Sequence, residues 1–541
     1  MFRLKILIIL TILCSISIFA QHDTQDSGSK NLTAQQWRED LRYFAEQMPK
    51  VHNNLFFKMS KKDFDAAVAN LDKKIPNLER HEIVLELMRI TAMVGDGHTR
   101  LRAEREFGAK GAFPVKFYWF EDGLFVQSAA KEYENLVGGK VVKIGNEPVE
   151  KALEKAMELT AADNIMGKKA MSPIVFSVPE AADALGFSDR FDSLSVTVEK
   201  NGKTQTVAVK SSGQLSDLFR TPESWVDAQT GEMPLYLKQP ENNYWYQYLP
   251  DKKLFYVKYN AVQNKEDESI ADFFKKVYEF TEKNPVEKFV IDMRNNDGGN
   301  NSLNRPIYLG LIKSKLNEKG KAFAIIGRGT FSAAQNGVNK LEELTNITFV
   351  GEPTAAHPNH YGDARPITLP NSKLVVQAST LWWQDRDPRD NRPWTAPEIA
   401  AEMTFEDYKA GRDPALEAIF NYKSSETYTS LINEAKDISV FIKKFREFKS
   451  NPQNKFVDTQ IAINRFGYNL IREKRLDEAI EVFKLNVEYY PNAANVYDSL
   501  GEAYMLKGNK ELAIKNYEKA LGLSPDYPSA VEALKKLKTG N

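Results

Sequence analysis

Cysteine is nearly absent from this sequence, and so is any net charge. The 541 residues include a single cysteine, and 73 basic side chains are balanced by 73 acidic ones. Without an excess of positive charge, nothing in the composition marks the chain for nucleic acid or for an acidic surface. Low-complexity tracts are missing as well. The 42% hydrophobic content is typical of globular proteins with a sizeable core, and a chain of this length is expected to hold several domains.

The first 20 residues differ in character from the rest. Arg3 and Lys5 precede an apolar run from Ile6 to Phe19, which ends at Ala20. A basic start, a short apolar core and a small final residue predict a secretory signal peptide. The run is too short for a comfortable transmembrane helix. We therefore expect export to the periplasm or the extracellular space, with no membrane span after cleavage.

The single cysteine, Cys14, lies inside this signal segment. Lipoprotein anchors need a small residue just before the cysteine, and Leu13 is not small, so a lipid anchor is disfavoured. Once the signal peptide is removed, the mature chain contains no cysteine. Disulfide bonds and thiol catalysis are then excluded.

Hydrophobic spacing divides the remaining chain into four regions. Residues 21–110 have mostly helical spacing, and residues 111–212 contain short β-branched runs, with the hairpin signal Asn201-Gly202. In residues 213–425 strand-like and helix-like runs alternate, which predicts a largely parallel or mixed sheet with ligands at the carboxyl ends of its strands. The predicted fold class is therefore multidomain α/β, followed by an all-helical region at 426–541.

The last 80 or so residues repeat with a period of 34. The matched positions are Gly467 and Gly501, Ala479 and Ala513, Ile480 and Ile514, Phe483 and Tyr517, and Pro491 and Pro525. This pattern resembles tetratricopeptide (TPR) repeats. Two repeats are fewer than usually stand alone, so we expect support from the helical stretch Tyr428–Phe448, from a cap near Pro528–Leu537, or from the preceding domain. The region either only stabilises the chain or binds a protein partner in its groove.

Ser332 is the most informative single residue. It follows a strand-like run that ends at Ile326, and it precedes a helix-like run that begins at Ala333. A serine at this corner has two interpretations. It can cap the helix with its side chain, or it can act as an acyl-transfer nucleophile where free backbone N–H groups stabilise a developing anion.

Two further segments bear on Ser332. The buried strand that begins at Val290 ends in a polar turn followed by Gly298-Gly299. Glycines there allow backbone N–H groups to form an anion-binding nest. The other segment is Gly95-Asp96-Gly97-His98-Thr99, which places a histidine on a loop. A loop histidine among turn residues is a candidate for proton transfer.

Three segments together resemble a known family. The stretches "VIDMRNNDGG", "GRGTFSAAQ" and "VGEPTA" are similar, in order and spacing, to the carboxyl-terminal processing (tail-specific) serine peptidases, which include the tricorn core and the retinoid-binding-protein repeats. The resemblance implies a ClpP/crotonase-like core with Ser332 as nucleophile. It also implies an oxyanion hole from the N–H groups of Ala333 and of Gly298 or Gly299. The stretch Leu136–Val149 resembles a PDZ domain, which in this family grips a polypeptide's carboxyl terminus.

The resemblance leaves the general base open. The processing branch uses a lysine 25 residues after the nucleophile, and that position holds His357 here. The tricorn-like branch uses an earlier histidine, which corresponds to His98. A neutral imidazole suits proton transfer near pH 7, so His98 is the predicted base and His357 the alternative. Gly97 replaces the serine that precedes the histidine in that branch, which puts the branch's relay in doubt.

The carboxylate that orients the base is Asp385 in our prediction, with Asp96 competing for the role. A metal site at His357, His360 and Asp363 is disfavoured, because zinc needs three or four placed ligands and Pro358 splits the histidines. No cofactor is expected. The predicted function is an exported serine peptidase that acts on peptides or proteins. The alternative is a catalytically inactive peptide- or ligand-binding protein on the same fold, with partner binding by its TPR region.

Overall fold

The computed structural model describes residues 32–103, 106–107, 111–188, 190–422 and 428–539. The predicted signal peptide and Cys14 lie outside the described residues. Within them the chain forms two compact units. The first consists of the described part of Met1–Pro397 with Ala401–Asn421, and the second of Glu398–Ala400 with the described part of Tyr422–Asn541. The domain boundaries at 110, 212 and 425 stay predictions.

The first unit begins with three helices, as the apolar spacing predicts. They are α1 (Ala34–Val51), α2 (Lys61–Lys74) and α3 (Arg80–Ala92). Thr33 starts α1 with a capping box, which satisfies free N–H groups of the first turn. Trp37, Leu41, Phe44 and Met48 are buried along one face of α1. After α3 the chain turns through Gly95–Thr99 into the short strand β1 (Arg100–Arg102).

A seven-stranded antiparallel sheet follows. Its strands are β2 (Val115–Phe120), β3 (Gly123–Ala129), β4 (Lys140–Ile144), β5 (Glu147–Pro148), β6 (Ser193–Lys200), β7 (Lys203–Lys210) and β8 (Val226–Asp227). The order is β2-β3-β4-β6-β7, with β5 beside β4 and β8 beside β3. The predicted Asn201-Gly202 turn joins β6 to β7, and both residues have positive φ, as a two-residue hairpin requires.

Four short helices accompany this sheet. They are α4 (Val149–Glu158), α5 (Ile165–Met171), α6 (Pro179–Ala184) and α7 (Leu215–Phe219). Asn164 caps α5 with its side-chain oxygen. Asp163, just before it, is directed into the first unit, where it accepts hydrogen bonds from two other loops.

The central sheet positions the candidate site. Its strands are β9 (Tyr244–Leu249), β10 (Leu254–Tyr259), β11 (Lys288–Asp292), β12 (Ala322–Ile326) and β13 (Thr348–Gly351), in the order β13-β12-β11-β10-β9. Strands β10 to β13 are parallel, and β9 is antiparallel to β10. The connecting helices are α8 (Ile270–Lys283), α9 (Arg305–Lys313) and α10 (Ala333–Leu344). The turns after β11 and β12 therefore lie at one edge, where open α/β sheets bind ligands.

A long hairpin brings the amino-terminal turn to this edge. Its strands are β14 (His360–Thr368) and β15 (Val375–Trp383), and β1 pairs with β15 on the other side. The sequence pattern predicts only part of β15, at Leu374–Gln377. It misses β14, whose alternation is interrupted by Asp363, with φ of 52°, and by Pro366. The first unit ends with α11 (Phe405–Ala410) and α12 (Pro414–Phe420).

The second unit contains the short strand Ile399–Ala400 and is otherwise helical in its described residues. Its helices are α13 (Tyr428–Asn433), α14 (Ile438–Ser450), α15 (Gln460–Arg472), α16 (Leu476–Tyr489), α17 (Ala494–Leu506), α18 (Lys510–Leu523) and α19 (Pro528–Thr539). The pairs α15–α16 and α17–α18 are the two predicted repeats. Helix α14 packs against the first repeat through Phe441 and Phe466, whose ring centroids are 5.0 Å apart. Helix α19 follows the second repeat, where the sequence predicts a cap.

In the described part of the chain, each helix is too short or too polar to cross a membrane. The predicted mixed α/β architecture with a carboxyl-terminal helical region is confirmed.

Candidate active site

Ser332 lies at a strained corner between β12 and α10. Its backbone has φ of 52° and ψ of −128°, a combination that costs a non-glycine residue conformational energy. Thr330 fixes the turn, because its hydroxyl donates to the Met293 carbonyl at 2.8 Å and accepts from the Gly327 N–H at 3.1 Å. Such a corner exposes a side chain at the end of the sheet, as the nucleophile elbow of α/β-hydrolases does.

The side chain of Ser332 does not cap α10. It occupies the N-cap position but makes no capping hydrogen bond. Instead, Oγ lies 2.8 Å from Nε2 of His98. The helix-cap interpretation is therefore wrong for the side chain. In the first turn of α10 the Ala334 N–H donates to the Phe331 carbonyl, whereas the Ala333 N–H stays available at the positive end of the helix dipole.

The His98 ring is held by packing on both sides. Phe331 stacks on it with centroids 4.5 Å apart, and His360 lies nearly parallel to it at 6.0 Å. The preceding residue must be small, because a Cβ at Gly97 would lie 2.8 Å from the Phe331 ring and 3.3 Å from the Asp163 carboxylate. This close packing explains why a serine does not fit at position 97.

Asp96 is the carboxylate beside His98. Its Oδ1 lies 3.8 Å from Nδ1 of His98 and accepts the His98 backbone N–H at 2.9 Å. Its Oδ2 accepts the Thr99 hydroxyl at 2.5 Å and contacts Nε2 of His52 at 3.2 Å. Burial would raise the pKa of Asp96, but these donors and the charge of His98 lower it to about 2, so the carboxylate is ionised at neutral pH.

His52 is a site residue that the sequence analysis does not single out. It is buried. Nδ1 of its ring accepts the Asn54 N–H at 3.0 Å, so the proton of the neutral ring lies on Nε2 and is donated to Asp96. A single histidine in a helical context carries no sequence signal for this contact.

His98 itself is poised as a neutral base. Burial lowers its pKa below the usual 6.5, and the Asp96 charge opposes that shift. The His98 side chain is 17% exposed to solvent. Its Nδ1 is buried and lies 3.8 Å from the Asp96 carboxylate, and a backbone contact with Tyr361 also raises the pKa of the ring. A shortening of less than 1 Å would bring the two atoms within hydrogen-bond distance.

The glycine segment after β11 lies against Ser332. A Cβ at Gly298 would lie 2.7 Å from the Ser332 Cβ, so only glycine fits there. The N–H of Gly298 donates to the Asn296 side chain at 3.0 Å. Among the described residues, the N–H groups of Gly299 and Ala333 have no such partner. Of the predicted oxyanion donors, Gly299 and Ala333 are thus available, whereas Gly298 is engaged.

Asn296 is a second residue without a recognised signal. It is buried, and its side-chain amide donates to the Tyr259 carbonyl at 3.0 Å. The backbone carbonyl of Asn296 accepts the Phe331 N–H at 3.0 Å. Asn296 therefore ties the end of β10 and the glycine segment to the turn that carries Ser332.

Two predicted candidates lie elsewhere. Asp385 accepts a hydrogen bond from Asn336 on α10 and, among the contacts of the described residues, none from His98. The ring nitrogens of His357 lie 3.1 Å from the carbonyls of Asp163 and Arg392, away from Ser332 Oγ. The structure therefore brings together Ser332, His98 and Asp96, and leaves out Asp385 and His357.

The histidine-rich segment after β13 is packed into the protein. Burial of His360 lowers its pKa to about 3, and its Nδ1 lies 3.2 Å from the His357 carbonyl. Within the described residues, three or more potential metal ligands do not cluster anywhere.

The chain is similar to known proteins in sequence and in structure. Residues 494–527 match the tetratricopeptide repeat model, and the sequence matches none of the curated proteins with which it was compared. Mature CPAF is similar over 72% of this chain and 99% of its own, at 12% identity and a TM-score of 0.50. Mature CPAF complexed with lactacystin is similar over 71% of this chain and 97% of its own, at 12% identity and a TM-score of 0.50. The photosystem II D1 C-terminal processing protease is similar over 73% of this chain and 98% of its own, at 14% identity and a TM-score of 0.34.

The likeness to mature CPAF defines the fold of this chain. The first unit shares the α/β fold of mature CPAF, and the second contains a tetratricopeptide repeat. The α/β fold implied by the resemblance is confirmed by the likeness to mature CPAF.

Proposed function

We propose that this chain is an exported serine peptidase that hydrolyses peptide bonds by acyl transfer through Ser332. The observation that carries the proposal is the 2.8 Å contact between Ser332 Oγ and His98 Nε2, made by a serine in a strained strand-to-helix corner. A nucleophile and a base at this distance are the geometric signature of covalent catalysis. Ser332 is only partly buried, so a substrate carbonyl has access to it.

Each group has a role in the proposed reaction. His98 takes the proton from Ser332 Oγ as Oγ attacks the carbonyl carbon, and the N–H groups of Gly299 and Ala333 stabilise the oxyanion. His98 then gives the proton to the leaving amine, and the C–N bond breaks to leave an acyl-enzyme. Water, deprotonated by His98, then attacks the acyl carbon; the C–Oγ bond breaks, His98 returns the proton to Ser332 Oγ, and the acid leaves. Asp96 takes the orienting role that we first predicted for Asp385, since it stays ionised and faces Nδ1.

A fluorophosphonate probe tests the nucleophile. Wild type should be labelled covalently, and Ser332→Ala should lose labelling completely. His98→Ala should label at least about 10²-fold more slowly, because a general base accelerates the reaction by at least that factor. His357→Ala is the matched control and should label like wild type. Absence of labelling in wild type, or equal labelling of Ser332→Ala, would sink the proposal and favour the non-catalytic alternative.

The second unit is proposed to bind a polypeptide partner or the substrate body. The matched repeat at 494–527 supports this, since tetratricopeptide helices form concave binding surfaces. Export, and a PDZ-like grip by the antiparallel sheet, stay predictions from the sequence.

A further inference from the structure

An apolar surface lies directly beside the proposed catalytic pair. In the hairpin of β14 and β15, His360 pairs with Trp383 and Gly362 pairs with Leu381. Residues that pair directly share one face of a sheet. His360 stacks on His98, so this is the face that borders the catalytic histidine. Leu381 is 48% exposed there.

Trp383 is fixed at this place by an unusual backbone. Asp363 adopts a φ of 52°, a left-handed conformation that aspartate tolerates better than most residues. The Thr380 hydroxyl donates to the Asp363 carbonyl at 2.6 Å. The Asp363 carboxylate accepts the indole N–H of Trp383 at 2.7 Å. An indole held by its N–H presents the rest of its ring as an apolar wall.

Gly362 lets this wall approach His98. A Cβ at Gly362 would lie 3.1 Å from the Trp383 ring and 3.8 Å from Cε1 of His98. Cε1 is bonded to Nε2, the atom that contacts Ser332. Trp383 therefore borders the edge of His98 that exchanges the proton, and Leu381 extends the same face of the hairpin from its pairing with Gly362.

The chemistry of peptide hydrolysis defines which part of a substrate passes there. His98 must deliver its proton to the leaving amine, so the leaving-group side of the peptide lies against the proton-carrying edge of the ring. Resting on the proposed function, we propose that Trp383 and Leu381 form a subsite for the first side chain after the cleaved bond. This subsite selects large apolar and aromatic side chains in a polypeptide substrate.

The test begins with cut sites in a denatured protein. Full-length enzyme is incubated with denatured, alkylated serum albumin, and the new amino termini are identified by mass spectrometry. Phenylalanine, tyrosine, tryptophan, leucine and methionine should be enriched as first residues. An internally quenched peptide with one such site, and its counterpart with alanine there, then give a kcat/KM ratio. We expect kcat/KM to be about tenfold higher or more for the apolar peptide, because an apolar side chain that fills a pocket usually raises kcat/KM by that factor.

Trp383→Ala should reduce this kcat/KM ratio towards one. Leu381→Ser should reduce the ratio in part. This second variant tests the subsite if Trp383→Ala fails to fold. Trp382→Ala is the matched control. Trp382 is the neighbouring tryptophan, but it lies on the opposite face, against the Tyr361 ring at 4.6 Å. The ratio should stay at the wild-type value in this variant.

The possible outcomes separate the two proposals. If wild type takes the fluorophosphonate but leaves albumin intact, or cuts it without apolar enrichment, the subsite is overturned and the nucleophile stands. If neither Trp383→Ala nor Leu381→Ser changes the ratio, or if Trp382→Ala changes it equally, the subsite is likewise overturned. If wild type takes no label at all, the proposed function fails with it.

Discussion

At the residue scale, the environment of Asp96 decides what His98 can do. Asp96 accepts hydrogen bonds from His52, Thr99 and the His98 backbone, and each acceptor contact fixes the carboxylate in one orientation. A carboxylate held by three donors faces the imidazole without having to reorganise during the reaction. His52 is thus a positioning residue that acts through Asp96.

Replacement of the two competing carboxylates distinguishes their roles. Asp96→Asn should slow fluorophosphonate labelling by about 10²–10⁴-fold, because the imidazole loses the charge that stabilises its protonated form. Asp385→Asn is the matched control and should stay within about threefold of wild type, because Asp385 contacts Asn336 and the proposed catalytic residues do not depend on it. The reverse order of effects would restore Asp385 as the orienting carboxylate.

The pH dependence of labelling reports the ionisation of His98. A base acts when neutral, above its pKa, and burial lowers the pKa of His98 below 6.5. The acid limb of the rate profile should therefore have its midpoint below pH 6.5. In Asp96→Asn the midpoint should move to still lower pH, because the Asp96 charge raises the pKa of His98. Labelling rates between pH 4 and pH 9 test this, and a wild-type midpoint above 6.5 contradicts it.

The residue scale also shows what sequence motifs can and cannot predict. Ser332, His98 and Ala333 were found because each lies at a recognisable junction of strand, turn and helix. His52 and Asn296 were missed because their roles arise from contacts with residues that are 44 positions away and 37 positions away. Asp385 was misplaced for the same reason, since spacing along the chain does not tell which loop faces the imidazole.

At the element scale, two glycines in the second unit separate packing from helix propensity. Gly467 on α15 faces Phe483 on α16, and a Cβ there would lie 2.5 Å from the ring. Gly522 lies near the end of α18, and a Cβ there would meet nothing within 4 Å. The close approach of paired helices therefore depends on Gly467 and not on Gly522.

Alanine at these two positions should have opposite effects on stability. Gly467→Ala should destabilise the second unit by about 1–3 kcal/mol, since the inserted methyl overpacks the helix pair. Gly522→Ala should stabilise it by about 0.5–1 kcal/mol, because alanine favours the helix. Denaturant unfolding followed by circular dichroism measures both. Equal effects of the two substitutions would show that the pair does not pack as described.

At the scale of the whole molecule, acidic and basic side chains are equal in number, and one buried carboxyl, Asp163, ionises unusually. Asp163 is buried, and its carboxylate accepts the N–H groups of Gly97 and His357. It thereby ties the His98 turn to the segment after β13. Burial and the nearby Asp96 charge raise the pKa of Asp163 to about 7, far above the usual value for an aspartate.

This buried carboxyl should make the first unit less stable as pH rises. Between pH 4 and pH 7 the folded state holds the Asp163 proton and the unfolded state does not, so the free energy of unfolding falls with rising pH. Asp163→Asn carries no such proton. It loses part of a hydrogen bond at every pH, but its Tm relative to wild type should be higher at pH 8 than at pH 5. A difference that is the same at both pH values would contradict this pKa.

The sequence by itself determined the order of elements, the strand-turn-helix junction at Ser332, the loop that carries His98 and the helical repeats. These depend on local spacing, turn residues and periodicity, which are written along the chain. Only the tertiary structure decided which carboxylate faces His98, which glycine N–H is left for an oxyanion, and that Trp383 borders the site. The place of Trp383 depends on the pairing of β1, β14 and β15, which brings segments more than 250 residues apart into contact. Pairing at such separation is decided by burial and packing in the whole fold, and a local sequence pattern does not predict it.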